Sequence, residues 1–356
     1  MNRIQLSRRV LIPATLIALA GAAVFAGPLN PPSGPVASSY KTLNEVEPRT
    51  AINSTNTPSG GSSAVYAISQ SGSYYLTENL IVPNGSSGIW VHADYVTIDL
   101  NGFSVIGAQG SVLGISSFGA NPINPVIKNG TVASCGSDGI NLAGSTGVEV
   151  LDVTAAGNHD KGIVVGLNSL VKNCVVTNST GVGYFSAGYS TFDHCKALDN
   201  ATGFSLQSGG DVLDSCTAFA NTGVGINATT HTRIVNCVVS SNALQGVVCG
   251  SESQIMGCEV HDNGSGTAAG IWAQGTYNRI EGNDCLGNGY GIYVGGATNY
   301  IFRNTVGASS QLNFHIVANN HVGTIVTAGI NGALINGSSG GGMGAAETDP
   351  YANLVY

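Results

Sequence analysis

Apolar and polar residues alternate along this chain in short runs, and no helical period of 3.6 persists, which predicts strands throughout. The alternation itself repeats. An apolar residue leads the same short phrase at Ile127, Val150, Val171, Phe192, Leu213, Ile234, Ile255, Ile280 and Ile301. The steps between these leads are 23, 21, 21, 21, 21, 21, 25 and 21 residues, so two intervals carry insertions. In five successive phrases the third residue after the lead is cysteine, at Cys174, Cys195, Cys216, Cys237 and Cys258. A fixed interval of this kind reads as a solenoid of equal coils.

Each coil reads as three short strands. In one of them Ile234, Cys237 and Val239 point inward, a turn comes at Asn242, and Val247 with Cys249 forms a further inward pair. That last strand recurs as Gly-apolar-x-apolar at 88–91, 139–142, 162–165, 203–206 and 291–294, with its glycine expected at a corner needing positive φ. Strands that return once per coil stack in parallel about 4.8 Å apart. The predicted fold is all-β: a single-domain right-handed parallel β-helix of about 21-residue coils, with an N-terminal cap and a C-terminal tail.

A second column has the same period. Asn158, Asn200, Asn221, Asn242, Asn263 and Asn288 stand eight residues after the apolar leads, with Ser179 in the slot once. Stacked asparagines can pass amide hydrogen bonds from coil to coil, and asparagine tolerates a left-handed corner. The column is expected to be a structural ladder, like that of the cysteines.

The domain reading is 1–26 signal peptide, 27–85 N-terminal cap and first strands, 86–325 parallel β-helix, and 326–356 Gly/Ser-rich segment with tail. Arg3, Arg8 and Arg9 precede an apolar run from Val10 to Ala23 and a small-residue site ending at Ala26, the pattern of an export signal. The run is shorter than the roughly 20 residues of a membrane span. Export by the general secretory route is expected, with a weak twin-arginine likeness from Ser7 to Leu11 as the alternative. The expected location is secreted, periplasmic or cell-surface. Without residues 1–26 the chain keeps nine lysines and arginines against 20 carboxylates, a formal charge of −11. That balance supplies no basic patch and argues against nucleic acid as a partner. Tyr40 to Glu47 reads as a short capping helix, Gly337 to Ala346 as a Gly/Ser stretch, and Tyr351 to Tyr356 as an apolar tail that folds back.

The two columns, the coil length and the segment from Gly72 to Leu76 and on through Val96 to Gly102 resemble the pectin-lyase-like superfamily of right-handed β-helices, over residues 72–325. More narrowly, the start and the ending Asp349 to Asn353 are similar to exported bacterial β-helix proteins of unassigned function. The superfamily holds pectate lyases, polygalacturonases, uronan epimerases and non-catalytic surface proteins, so the resemblance implies a fold and leaves the activity open. The polygalacturonase motifs are absent, and Ser137-Asp138-Gly139 keeps only one acid. Asn158-His159-Asp160 lacks the proline of the epimerase motif and reverses its order. No catalytic residue carries over.

Candidate chemistry is therefore read from the residues alone. The cysteines are expected as buried thiols, since stacked in-register side chains lie about 4.8 Å apart and a disulfide wants Cβ atoms about 3.8 Å apart. A row of thiols also offers zinc no tetrahedron, and no metal site is expected. The seven histidines, His92, His159, His194, His231, His261, His315 and His321, share no column. Two outward polar clusters stand out: Lys172, Asp193 and Asp214 with His194 and Lys196, and Glu259 below Asp284 with Arg279, Glu281 and Arg303 nearby. Glu259 and Asp284 are the catalytic candidates, for acid–base hydrolysis or, with Ca²⁺ as the cofactor, a lyase. Against that stands the ordinary role of surface ion pairs. Trp272 and Tyr293, 21 residues apart, should stack outward as a flat exposed surface suited to the apolar face of a sugar, or else merely stabilise the sheet. The expected function is an exported non-catalytic module that contacts polysaccharide. The alternatives are a polysaccharide lyase, glycoside hydrolase or uronan epimerase with an unrecognised site, and a purely structural surface protein.

Overall fold

The computed structural model describes residues 47–327, apart from 60, 62, 118 and 265, together with 336–337 and 349–356. The chain divides into two units, residues 1–47 and 48–356, and the coils belong to the second. The expected signal (1–26), capping helix (40–47) and Gly/Ser stretch (337–346) lie outside the described residues, save for Glu47 and Gly337.

Each regular coil gives two strands to a 25-stranded sheet, the long sheet, and one to a 12-stranded sheet, the short sheet. A typical coil runs Arg233–Val235, Val238–Ser240 and Val247–Cys249. Arg233 pairs in parallel with Val212 before it and Gln254 after it, while Val247 pairs with Ile226 and Ile271. Strand residues alternate inward and outward, so Ile234, Val239 and Val247 are fully buried. One continuous apolar core fills the coils, with Tyr184 stacked on Phe204 at 4.8 Å and Phe192 set edge-on to both. Parallel pairing already includes Thr50–Ala51 against Gly72–Tyr75.

Three corners close each coil, and all three use one device. A residue in the left-handed region is followed by a small or polar side chain that points inward. The first corner has Asn173, His194, Ser215, Asn236 and Gly257 left-handed, each ahead of a cysteine of the 21-residue column. The second has Asn178, Asp199, Ala220, Ser241 and Asp262, ahead of Ser179, Asn200, Asn221, Asn242 and Asn263. The third has Asn168, Tyr189, Gly210, His231 and Glu252, ahead of Ser169, Ser190, Asp211, Thr232 and Ser253. Positive φ thus falls on the residue before the buried asparagine. The glycines opening the short-sheet strands do not take it either: at Gly203 an added Cβ would meet the Gly225 carbonyl oxygen at 2.4 Å. Those glycines supply room between coils, which corrects the expectation that they supply a turn.

The buried asparagines hydrogen-bond along the stack. Asn221 Nδ2 donates to Asn242 Oδ1 at 2.7 Å, and Asn242 Nδ2 to Asn263 Oδ1 at 2.8 Å. Each backbone N–H of Asn200, Asn221 and Asn242 also donates to the Oδ1 one coil on, at 3.0–3.1 Å. Their amides reach back to Val176, Ala197 and Ala218 carbonyls as well. Ser179 receives no such bond through its hydroxyl, which is buried without a partner.

The third corner repeats the pattern with varied chemistry. The N–H of Ser169 donates to Ser190 Oγ, that of Ser190 to Asp211 Oδ1, that of Ser253 to Asn278 Oδ1 and that of Asn278 to Asn299 Oδ1. At the first corner the cysteines give way to Asn283, Asn304 and finally Asn353, which share the same kind of bonds.

All eight cysteines are buried free thiols. Those of the column turn their sulfur to backbone carbonyls, Cys195 Sγ to Val171 O at 3.3 Å and Cys216 Sγ to Phe192 O at 3.4 Å. Burial pushes the thiols of Cys135 and Cys249 up to about 12.

Candidate functional site

Trp272 lies in Ala269–Ala273 and Tyr293 in Tyr290–Val294, neighbouring strands of the short sheet. Register sets Trp272 directly beside Tyr293, with His315 one coil further, so the three outward rings succeed one another across adjacent strands. They do not form the flat surface expected. The Trp272 and Tyr293 rings meet edge to face, centroids 5.9 Å apart at 76°, whereas Tyr293 and His315 stack at 4.4 Å and 13°. Tyr290, from the start of the same strand, sets its ring edge-on to both Tyr293 and His315. Edge-to-face packing satisfies the ring quadrupoles, and this fourth ring turns a platform into a ridged cluster. Both Trp272 and Tyr293 are half-buried.

The cluster borders an open groove of about 300 Å³ lined by Gln245, Thr267, Ala269, Trp272, Tyr290 and Tyr293. Its origin is an insertion. Asn242 and Asn263 are 21 residues apart, but Val247 and Ile271, register partners in the strands that follow them, are 24 apart. The extra residues fall between Asn263 and Ile271, and Thr267 from this stretch joins Gln245 of the preceding coil in the lining. The lining offers aromatic faces, two phenols, an amide and a hydroxyl, with no carboxylate among them.

Glu259 and Asp284 are neighbours in register, as expected, but in the long sheet. The structure therefore brings together each sequence-predicted pair and keeps the two pairs on different sheets. Glu259 is exposed; Asp284 is half-buried, with Oδ1 shielded and unpartnered, beside the Tyr356 phenol. Burial and that carboxylate raise the phenol above its ordinary value. Glu281 is held between Arg279 and Arg303, the latter at 3.1 Å. In the other cluster Lys172 meets Asp193 at 2.7 Å, in register with Asp214. Hydrogen bonds from Lys172 and His194 hold the Asp193 carboxyl below its ordinary range. Asp214 accepts from Ser215 Oγ and Asn236 Nδ2. These charges are committed to one another on an exposed face, where such pairs contribute little.

Among the described residues no group of three or more His, Cys, Asp or Glu side chains converges on a point. A calcium cage needs six to eight oxygens; Glu259 and Asp284 bring two carboxylates, and among the described residues no third acid, His or Cys joins them as a group. No described helix is long and apolar enough to cross a membrane. A second hollow, of about 550 Å³, includes Thr57, Gln70, Tyr74, Trp90 and His92; Trp90 and His92 make further contacts of their own. Sequence reading passed over Tyr290, Gln245 and Thr267. Only the 25-residue step at this coil signalled them.

The comparisons with known proteins address the fold. A family model for the right handed beta helix region matches residues 138–285. No curated protein matches the chain. Among solved structures, the A-module of mannuronan C-5 epimerase AlgE6 from Azotobacter vinelandii is similar with a TM-score of 0.58 and 15% identity, over 70% of this chain and 79% of that one. The A-module of AlgE4, the mannuronan C-5 epimerase from the same organism, gives 0.50 and 17%, over 74% and 79%. With its parallel three-strand coils and stacked inward columns, the chain is a right-handed parallel β-helix.

Proposed function

We propose that this protein is an exported, non-catalytic β-helix module that holds polysaccharide in the groove at Trp272, Tyr290 and Tyr293. One observation carries the reading: residues inserted at a single corner open a groove whose wall is a cluster of aromatic rings on an outward strand row. Pyranose rings present an apolar face of C–H groups, and partly exposed aromatic rings are the side chains that cover it. Gln245, Thr267 and the phenols supply the hydrogen bonds that orient a sugar. Similarity to the A-modules of two mannuronan C-5 epimerases agrees with a carbohydrate-related role. Export rests on residues 1–26, and mass measurement of the mature chain tests it: a protein beginning at Met1 contradicts the signal peptide.

A catalytic reading has its own support. Phenols and an imidazole in one cluster can exchange protons with a bound sugar, and Glu259 with Asp284 remains the carboxylate pair. The deciding experiment measures glycan retention and product release together. In a binding module Trp272→Ala weakens retention by about 1–3 kcal/mol, as for an interface anchor, while Glu259→Gln and Asp284→Asn change nothing and no product forms. Product release abolished by Glu259→Gln or Asp284→Asn but surviving Trp272→Ala establishes the enzyme instead. Absence of both retention and product across a uronate and neutral glycan panel leaves a structural surface protein.

A further inference from the structure

The C-terminal strand does not extend the end of the solenoid; it enters between two strands already there. Asn353–Val355 pairs in parallel with Thr305–Gly307 on one side and with Ile325–Thr327 on the other. Leu354 N–H donates to Asn304 O at 2.8 Å and Asn353 N–H to Thr324 O at 2.7 Å. The Asn353 side chain is fully buried. Its Oδ1 accepts from the backbone and side-chain N–H of Asn304, at 3.0 and 3.1 Å, and its Nδ2 donates to Ile301 O and Gly323 O. Arg303 grips the approach: Nε donates to Pro350 O at 2.8 Å, and the guanidinium lies 4.8 Å over the Tyr351 ring.

Both walls are cut away for this strand. A Cβ on Gly323 would lie 2.1 Å from Tyr351 O, and one on Gly307 would lie 2.4 Å from Tyr356 O. Neither glycine has positive φ, so space alone is what they provide. The slot thus reads an extended peptide by backbone pairing, one asparagine in a buried position and a tyrosine two residues before it, which is recognition by strand addition.

We propose that this slot is a peptide-binding site whose ligand, the segment from Asp349 to Tyr356, can be supplied by a second copy of the chain. The protein's own tail is tethered and wins by effective concentration. Where it is displaced or removed, two strands are left with open edges that the same segment of another copy satisfies, giving a strand-exchanged pair.

Two full-length variants test this from opposite sides. Gly323→Ala closes the slot and frees an intact tail; Asn353→Ala weakens the tail and leaves the slot. In both, amide exchange at Thr305–Gly307 and Ile325–Thr327 should quicken at least tenfold while the coils around Cys195 stay protected. A fluorescent octapeptide of residues 349–356 should bind Asn353→Ala at least tenfold more tightly than the unaltered chain, and Gly323→Ala not at all. Mixing the two variants should give a 1:1 complex by sedimentation that neither forms alone. Unchanged amide exchange overturns the slot, and released tails without peptide binding or mixed complex overturn its use by a second copy. If Gly323→Ala does not fold, octapeptide binding to Asn353→Ala decides by itself.

Discussion

Asp211 shows how far a single side chain can strain an otherwise regular column. It is fully buried; Oδ1 accepts from Ser186 Oγ and Ser190 N–H, and Oδ2 has no partner. Burial raises its pKa above that of the unfolded chain, so folding disfavours the charged form. The unfolded chain ionises at about 3.9. Stability is therefore fully present below that pH and is lost as pH rises toward the folded value. Asp211→Asn should raise the melting temperature at pH 7 and leave it unchanged near pH 3, by scanning calorimetry. Asn278 and Asn299 already fill the same place in later coils with the same N–H bond. Asn242→Ala should cost about 1–3 kcal/mol in denaturant unfolding, because a buried N–H and carbonyl lose their partners. Ala220→Gly, by contrast, should stabilise by about 1 kcal/mol, since a left-handed alanine carries that penalty. The cysteine and asparagine columns were legible because one residue type recurs. The third corner was not: serine, aspartate, threonine and asparagine share only an oxygen at the right reach, and identity conceals that.

Strands of three residues cannot hold register by themselves; the corners hold it for them. Sequence alternation located the strands, and the 21-residue interval set which residues become neighbours, Trp272 with Tyr293 and Glu259 with Asp284 among them. It did not show the tilt of the rings, because that depends on Tyr290 arriving beside them. Nor did it show why glycine opens the short-sheet strands. Gly203→Ala tests the corrected reason: ordinary backbone angles but a Cβ driven into the Gly225 carbonyl predict a loss of about 1–3 kcal/mol, as for overpacking. An alanine tolerated at no cost would return the explanation to backbone conformation. The thiols answer to the same packing. Titration of the folded protein should find them unreactive and titration in denaturant should find most of the eight. Recovery of a Cys174–Cys195 disulfide by mass spectrometry would contradict the column.

Across the unit 48–356, each coil touches chiefly the coils before and after it, so stability is close to a sum of repeats and interfaces. Such a stack has no central point whose alteration spreads everywhere, and the stretch between Asn263 and Ile271 is a case in point. Three extra residues enter at one corner, yet Val247 still pairs with Ile271 and Asn242 with Asn263. Length can change at a corner while the rungs on either side keep their neighbours. The fold thereby separates two kinds of inheritance: a rung that must match its predecessor, and a corner free to lengthen. A lineage built on this plan can try a new recognition loop on one coil at a time, with every older loop still standing beside it.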